Sequence, residues 1–238
     1  MGTNLEAKIN SIQSLGTLDG PGIRFVVFMQ GCNLRCGYCH NPDTWDITKG
    51  KTTSVQELTD KALRYKNYFG DSGGITVSGG EPLLQAEFVT ELFKSCHENG
   101  INTCLDTSGS ILNDKVKELL RHTDRVLLDI KFTDNDDYIK YTGCNLSAPL
   151  AFLDYLESTG IPTTIRQVIV PTLNDSEESI SMLREVVASH KCVDKVELLP
   201  FKKICKVKYD NLGIEFPFEC YDTPAADTIT NLQEILNT

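Results

Sequence analysis

Cys32, Cys36 and Cys39 lie within one short stretch, Cys32-Asn33-Leu34-Arg35-Cys36-Gly37-Tyr38-Cys39-His40, directly after the apolar run Phe25-Val26-Val27-Phe28-Met29. Thiolate is a soft ligand that suits iron and zinc. A cubic iron-sulfur cluster that only carries electrons takes four cysteines, whereas this loop supplies three, so one iron would stay open to a substrate. Structural zinc, the competing reading, wants four closed ligands. His40 adjoins Cys39 and is poorly placed to share its metal, and Cys96, Cys104, Cys144, Cys192, Cys205 and Cys220 are scattered singly. The ligand count favours the three-cysteine cluster, with zinc or unligated thiols as alternatives.

The loop needs a scaffold, and the rest of the chain reads as one. Apolar strand-like runs at 23–30, 74–78, 101–106, 125–131, 163–170 and 193–199 alternate with segments of helical period, the pattern of repeated βα units. Ser54 with Glu57 has the form of a capping box, Asn99-Gly100 of a helix stop, and Pro224 suits the first turn of a last helix near 224–236. Helices are also expected at 85–98, 113–121, 149–158 and 175–189, with a looser stretch around Tyr138 and Tyr141. Six such units are too few for a closed eightfold barrel. An open (β/α)6 partial barrel of α/β class with a mainly parallel sheet is expected, as a single domain over 1–238 whose residues 200–238 form a C-terminal extension packed on it.

Composition narrows the function. Nine cysteines, with no export signal, argue against a disulfide framework and for a reducing, cytoplasmic setting. A formal net charge of -10 disfavours nucleic-acid binding, and no apolar run approaches the roughly 20 residues of a membrane span. No Ser-His-Asp set or pair of carboxylates announces hydrolytic chemistry.

Each expected strand ends in a polar or glycine-rich word: the cysteine loop, Ser78-Gly79-Gly80-Glu81-Pro82, Asp106-Thr107-Ser108-Gly109, Asp129-Ile130-Lys131, Val170-Pro171-Thr172-Leu173-Asn174-Asp175 and Leu199-Pro200-Phe201-Lys202-Lys203. Parallel α/β folds place chemistry at the C-terminal ends of strands, so these words point to one site. Gly79 and Gly80 allow close approach or positive φ. Asp106, Thr107 and Asp129 are oxygen ligands suited to a hard cation, or else loop caps. Arg166, in a strand mostly of Thr, Ile and Val, must meet a carboxylate, because an unpaired buried charge is costly.

These residues carry a resemblance. Cys-x3-Cys-x2-Cys after a strand resembles the radical S-adenosylmethionine (SAM) superfamily. Leu18-Asp19-Gly20-Pro21-Gly22-Ile23-Arg24 before the loop and His40-Asn41-Pro42-Asp43-Thr44-Trp45 after it resemble the pyruvate formate-lyase activating enzymes. The likeness runs from about residue 14 to 212. It implies a 4Fe-4S cluster on Cys32, Cys36 and Cys39 that chelates SAM, cleaves it to methionine and a 5′-deoxyadenosyl radical, and so removes a hydrogen from one glycine of pyruvate formate-lyase. It implies SAM contacts from Tyr38, Cys39 and His40 at the adenosine, Gly80 at the amine, and Asp129, Ile130 and Lys131 near the carboxylate; the carboxylate that Arg166 meets would be either SAM's or a nearby aspartate's. A monovalent cation at Asp106, Thr107 and Asp129, and contact of Asp19 with the protein substrate, are also implied. The electron would come from reduced flavodoxin or ferredoxin, and the enzyme would act as a monomer.

The family pattern has a histidine where Lys202 stands, so the SAM contact at that position changes character. Only residues 46–51 separate Trp45 from the next helical segment, which leaves out the ferredoxin-like insert of some other glycyl-radical activases. The rival readings are activation of another glycyl-radical enzyme, a small-molecule radical SAM enzyme, a one-cluster electron carrier, and a zinc module. Lys202, Lys203, Lys206 and Lys208 read most simply as a solvated face, though one able to meet an acidic partner.

Overall fold

The structure, a computed structural model, describes residues 5–237. Its strands are β1 (Glu6–Gly16), β2 (Arg24–Met29), β3 (Lys51–Ser54), β4 (Gly74–Gly79), β5 (Asn102–Thr107), β6 (Arg125–Asp129), β7 (Thr163–Ile169) and β8 (Val193–Pro200). Its helices are α1 (Val55–Leu63), α2 (Lys66–Phe69), α3 (Ala86–Glu98), α4 (Asp114–Leu120), α5 (Asn135–Thr142), α6 (Ser147–Thr159), α7 (Glu177–Ala188), α8 (Lys206–Leu212) and α9 (Ala226–Asn237). The strands follow the order β3-β1-β2-β4-β5-β6-β7-β8, an open, mainly parallel sheet with alternating helices. The chain divides into two compact units. One holds the described residues up to Asn33 with Asp43–Leu127, the other Leu34–Pro42 and the described residues after Leu127.

In the first unit β2 pairs parallel with β4, and β4 with β5. Phe25, Val27 and Met29 share one face of β2 and are buried, as the twofold period of a strand requires. Ser54 caps α1 by accepting from the Glu57 N–H at 3.2 Å, and Gly100, at φ +62°, follows the end of α3. Leu58 of α1 and Val89, Leu92, Phe93 and Cys96 of α3 are fully buried, each large side chain contributing about 1.5–3 kcal/mol of burial. In the second unit β7 and β8 are parallel, with Arg166 opposite Glu197, and α9 packs on α7 and β8.

Six strands match the expected runs, and four elements correct the reading. β1 and β3 form an antiparallel edge, Ala7 opposite Thr53 and Ile9 opposite Met29. Only Ala7 and Ile9 of the β1 apolar residues are buried, so its sequence looks like a polar tail. The looser stretch around Tyr138 is α5, capped by Asp134, which accepts from the Asp136 and Asp137 N–H groups at 2.9 and 3.0 Å, and ended by Gly143 at φ +75°. Its buried face holds Tyr138 and Thr142 alone, too little for a periodic signal. The lysine run leads into α8 and stays exposed or half-buried, with Lys206 paired with Glu219 at 2.7 Å and the Lys203 Nζ donating to the Glu219 carbonyl at 2.7 Å. Pro224 precedes α9 instead of starting it.

Arg24 anchors the glycine-rich approach. It is fully buried, and its guanidinium donates to Thr76 Oγ1 at 3.0 Å, Asn102 Oδ1 at 2.9 Å, and the carbonyls of Pro21, Ser72, Ile75 and Asn102. Methionine would keep the volume and leave those carbonyls without donors. Arg24→Met is therefore expected to lower unfolding stability by about 3 kcal/mol, read as a lower urea midpoint with an unchanged slope.

Candidate active site

The base of the cysteine loop belongs to the first unit. There the ends of β2 and β4 are laced together: the Gly80 N–H donates to the Met29 carbonyl at 3.0 Å and the Glu81 N–H to the Gly31 carbonyl at 2.7 Å. A Cβ on Gly80 would meet the Gly31 oxygen at 2.0 Å, and Gly79 sits at φ +101°. The glycines are thus required by strand packing, whatever else approaches them. Cys32 follows at once, its N–H donating to the Trp45 carbonyl at 3.4 Å. Gln30 braces the returning chain through Nε2 donations to the carbonyls of Asp43 and Asp46 at 2.8 and 2.9 Å.

Glu81 joins two strand-end words. Its Oε1 accepts from Thr107 Oγ1 at 2.6 Å and the Leu83 N–H at 3.2 Å, and its Oε2 from the Ser108 N–H at 3.0 Å and the Ser108 hydroxyl. Burial pushes its pKa above the usual carboxylate range, against the pull of those donors. Its oxygens are engaged in orienting loops. Asp106 accepts from Ser78 Oγ at 2.6 Å. Asp19 is half-buried, its carbonyl accepting from Thr76 Oγ1 at 2.7 Å, beside Leu18, which is 84% exposed.

The tip of the loop belongs to the second unit. The N–H groups of Arg35 and Gly37 donate to the Thr142 and Tyr141 carbonyls at the end of α5, at 2.8 and 2.9 Å. The Phe218 ring lies where a Gly37 Cβ would stand, 2.1 Å from it, so only glycine fits. Tyr38 is buried between Phe132 and Phe218, with ring centroids 6.2 and 5.6 Å away. Three contacts hold the far side: Tyr209 OH donates to the Cys39 carbonyl at 3.1 Å, Lys208 Nζ to Asn41 Oδ1 at 2.8 Å, and His40 Nε2 to the Lys202 carbonyl at 3.0 Å. A carbonyl only accepts, so the proton of neutral His40 is on Nε2. Lys202 thus meets His40 through its backbone, a contact that does not depend on the side chain there.

Beside the tip lies a half-buried charge group. Asp129 accepts from Lys131 Nζ at 3.0 Å and from Arg166 Nε and Nη2 at 3.1 Å each. Of the two carboxylates expected for Arg166, the structure supplies Asp129. Burial acts to raise the Asp129 pKa, but Lys131 and Arg166 outweigh it and hold the carboxyl below its usual range. Lys131, 6.0 Å from the Tyr38 ring centroid, is held well above the usual ammonium range by Asp129 against the effect of burial. Ile130 is fully buried and donates its N–H to the Arg166 carbonyl at 3.0 Å. The oxygen ligands expected for a cation are thus engaged with protein groups: Asp106 with Ser78, Thr107 with Glu81, and Asp129 with two cations. Among the described residues no group of three or more His, Cys, Asp and Glu side chains is placed to hold a single metal ion.

Sequence reasoning passed over Phe218, Tyr209 and the end of α5. Their contributions are a ring face, a hydroxyl and two carbonyls, and none leaves a motif. The Asp134 cap and Gly143 stop were the one available sign of α5.

The Radical SAM superfamily profile matches residues 26–183, so fold and cysteine loop together define a radical SAM protein. A radical SAM methyltransferase from Sphaerobacter thermophilus superposes with a TM-score of 0.68 at 17% identity, over 97% of this chain and 74% of that one. A pyruvate formate-lyase-activating enzyme of Clostridium pasteurianum is 49% identical over 210 residues, 88% of each chain, and one of Staphylococcus epidermidis is 43% identical over 98% of this chain and 96% of its own. The chain belongs to the pyruvate formate-lyase-activating enzyme family.

Its cofactors are accordingly a 4Fe-4S cluster and SAM, and the residues fit both. The nine cysteines are all outside disulfides. The Asn41 N–H donates to Cys39 Sγ at 3.4 Å, the kind of sulfur hydrogen bond that tunes such clusters. Burial pushes the Cys36 thiol up to about 11, with Lys131 opposing, so iron would replace a proton there. The hydroxyls of Tyr38 and Tyr138 are buried and lack a hydrogen-bond partner among the described residues.

Glu81→Gln is the sharpest test of the loop lacing. An amide offers one acceptor oxygen, so its NH2 must face either the Leu83 or the Ser108 N–H. A loss of about 1–3 kcal/mol is expected, measured by chemical unfolding.

Proposed function

We propose that this chain activates pyruvate formate-lyase by generating a glycyl radical on it. When bound at Cys32, Cys36 and Cys39, the reduced cluster supplies the one electron that cleaves SAM, and the resulting radical chemistry abstracts the glycine Cα hydrogen. The chain's own residues bind and orient. The observation that carries this reading is the half-buried Lys131–Asp129–Arg166 group near Cys36 and the Tyr38 ring, suited to receive an amino-acid carboxylate next to a soft-metal site.

Lys131 has three N–H donors and directs one at Asp129. The others are available to the SAM carboxylate, a charge-assisted contact, while Arg166 holds Asp129 in place. The Tyr38 ring and His40, its proton kept on Nε2 by the Lys202 carbonyl, take the adenosine, and the Gly80 backbone takes the amine. Asp19, on an exposed loop with Leu18, meets the backbone of the protein substrate. Reduced flavodoxin or ferredoxin supplies the electron to a monomeric, cytoplasmic enzyme. No helix among the described residues is long and apolar enough to cross a membrane.

The test is anaerobic reconstitution with iron and sulfide, dithionite reduction, and addition of SAM with pyruvate formate-lyase under electron paramagnetic resonance. A glycyl-radical doublet that is lost in Cys36→Ala is expected. SAM cleavage without the doublet would replace the target by another glycyl-radical enzyme. An intact cluster with no SAM cleavage would overturn the enzymatic reading in favour of an electron carrier. Lys131→Met should keep its iron yet bind SAM about tenfold more weakly, measured by equilibrium binding to the oxidised protein.

A further inference from the structure

The segment Lys202-Lys203-Ile204-Cys205-Lys206-Val207-Lys208 carries four lysines and no acidic residue, in a chain whose formal net charge is -10. Its inner side is settled by Cys205 and Tyr209, four residues apart and both buried. The N–H groups of Lys206 and Lys208 donate to the Lys203 and Cys205 carbonyls at 3.0 and 2.8 Å, so the helical turn reaches back to residue 203. Its outer side is open. Ile204 is 74% exposed and Val207 59%, and residues three apart on a helical turn are surface neighbours.

Two of the lysines beside this apolar pair face no carboxylate. Lys206 is matched by Glu219 at 2.7 Å and by Asp210 at 3.7 Å. Lys203 Nζ instead donates to the Glu219 carbonyl, and the exposed Lys202 side chain has no hydrogen bond or ion pair among the described residues. The patch also adjoins the cysteine loop. Tyr209 OH donates to the Cys39 carbonyl at 3.1 Å, Lys208 Nζ to Asn41 Oδ1 at 2.8 Å, and His40 Nε2 to the Lys202 carbonyl at 3.0 Å. A protein seated on Ile204 and Val207 would therefore rest against the segment that carries Cys39.

Electron transfer falls off steeply with distance, so a donor gains from docking on that segment. Electron-transfer encounters use small interfaces, which two apolar side chains with a charged rim suit. An anionic partner is repelled by the chain as a whole and drawn to the stretch where cations prevail, an arrangement that speeds and orients encounter. We propose that Ile204 and Val207, rimmed by Lys202 and Lys203, form the docking surface for the acidic one-electron carrier protein that reduces the cluster. In that encounter the carrier loses one electron and the cluster gains it, and no bond forms or breaks. The proposal rests on the activase reading above and names the face at which its electron arrives.

The test compares wild type with the double variant Lys203→Glu, Ile204→Glu in the reconstituted full chain, using whichever of purified flavodoxin and ferredoxin wild type binds more tightly. Neither position belongs to the cluster or SAM contacts assigned above. Equilibrium binding of the oxidised carrier should weaken about tenfold at low ionic strength, and the difference should narrow as salt is raised. Lys203→Arg, which keeps the charge, should bind as wild type does. Cluster reduction by the reduced carrier should slow in the double variant, while reduction by photoreduced 5-deazariboflavin, a small neutral donor, should be unchanged. Carrier binding unaltered by the double variant overturns the proposal, as does a wild type that binds neither carrier. Slowing with both reductants overturns it too, by placing the defect in the cluster site, and so does unchanged carrier reduction with weakened binding of pyruvate formate-lyase, which would give the face to the protein substrate. Failure of chemically reduced wild type to cleave SAM would instead overturn the underlying reading.

Discussion

Two backbone hydrogen bonds, from the Arg35 and Gly37 N–H groups to the Thr142 and Tyr141 carbonyls, fix the part of the loop that carries Cys36 and Cys39. The last carbonyls of a helix have no partner within it, and here they accept from a loop with no regular structure of its own. Both sets of unsatisfied groups are removed by the same contact. Phe218 over Gly37 and Tyr209 on the Cys39 carbonyl then leave the tip little freedom. A cluster that ligates three thiolates of one loop gains from this, since the ordering entropy is met during folding rather than at binding.

The charges beside the tip follow a similar logic. Lys131 and Arg166 are costly to bury without a carboxylate, and Asp129 supplies one to both. One carboxylate between two cations leaves the group able to accept a second anion. Lys131 sits against the Tyr38 ring and among the electrostatic neighbours of Cys36, so the same cation faces both the cysteine loop and Asp129. In the first unit the opposite sign is handled differently. Glu81 is buried with neutral donors only, and its role is to tie Thr107 and Ser108 to the turn after β4.

Much of the arrangement was legible before the fold was known. Parallel strands declared themselves because Phe25 to Met29 is apolar throughout and Thr163 to Ile169 is β-branched except at Arg166 and Gln167. Arg166 stood out because such a strand cannot leave a charge unpaired. Ser54 and Gly100 marked helix ends through local chemistry that survives in any tertiary context. Other elements did not show. β1 is stable only because β2 and β3 flank it, so its sequence needs little apolar content. α5 draws on an Asp134 cap and a two-residue buried face, which no periodicity analysis would detect.

By itself the sequence determined which cysteines share one loop and which runs form six of the strands, because thiol spacing and strand patterning are properties of residue type and order. Tertiary structure alone decided what those residues touch. That Gly80 makes room for the Gly31 carbonyl, that His40 reaches the backbone of residue 202 rather than its side chain, and that the oxygens of Glu81 and Asp129 are already engaged are facts of distance between segments remote in the chain. Such contacts involve carbonyls and ring faces that every sequence contains, and so they carry no signature until the chain has folded.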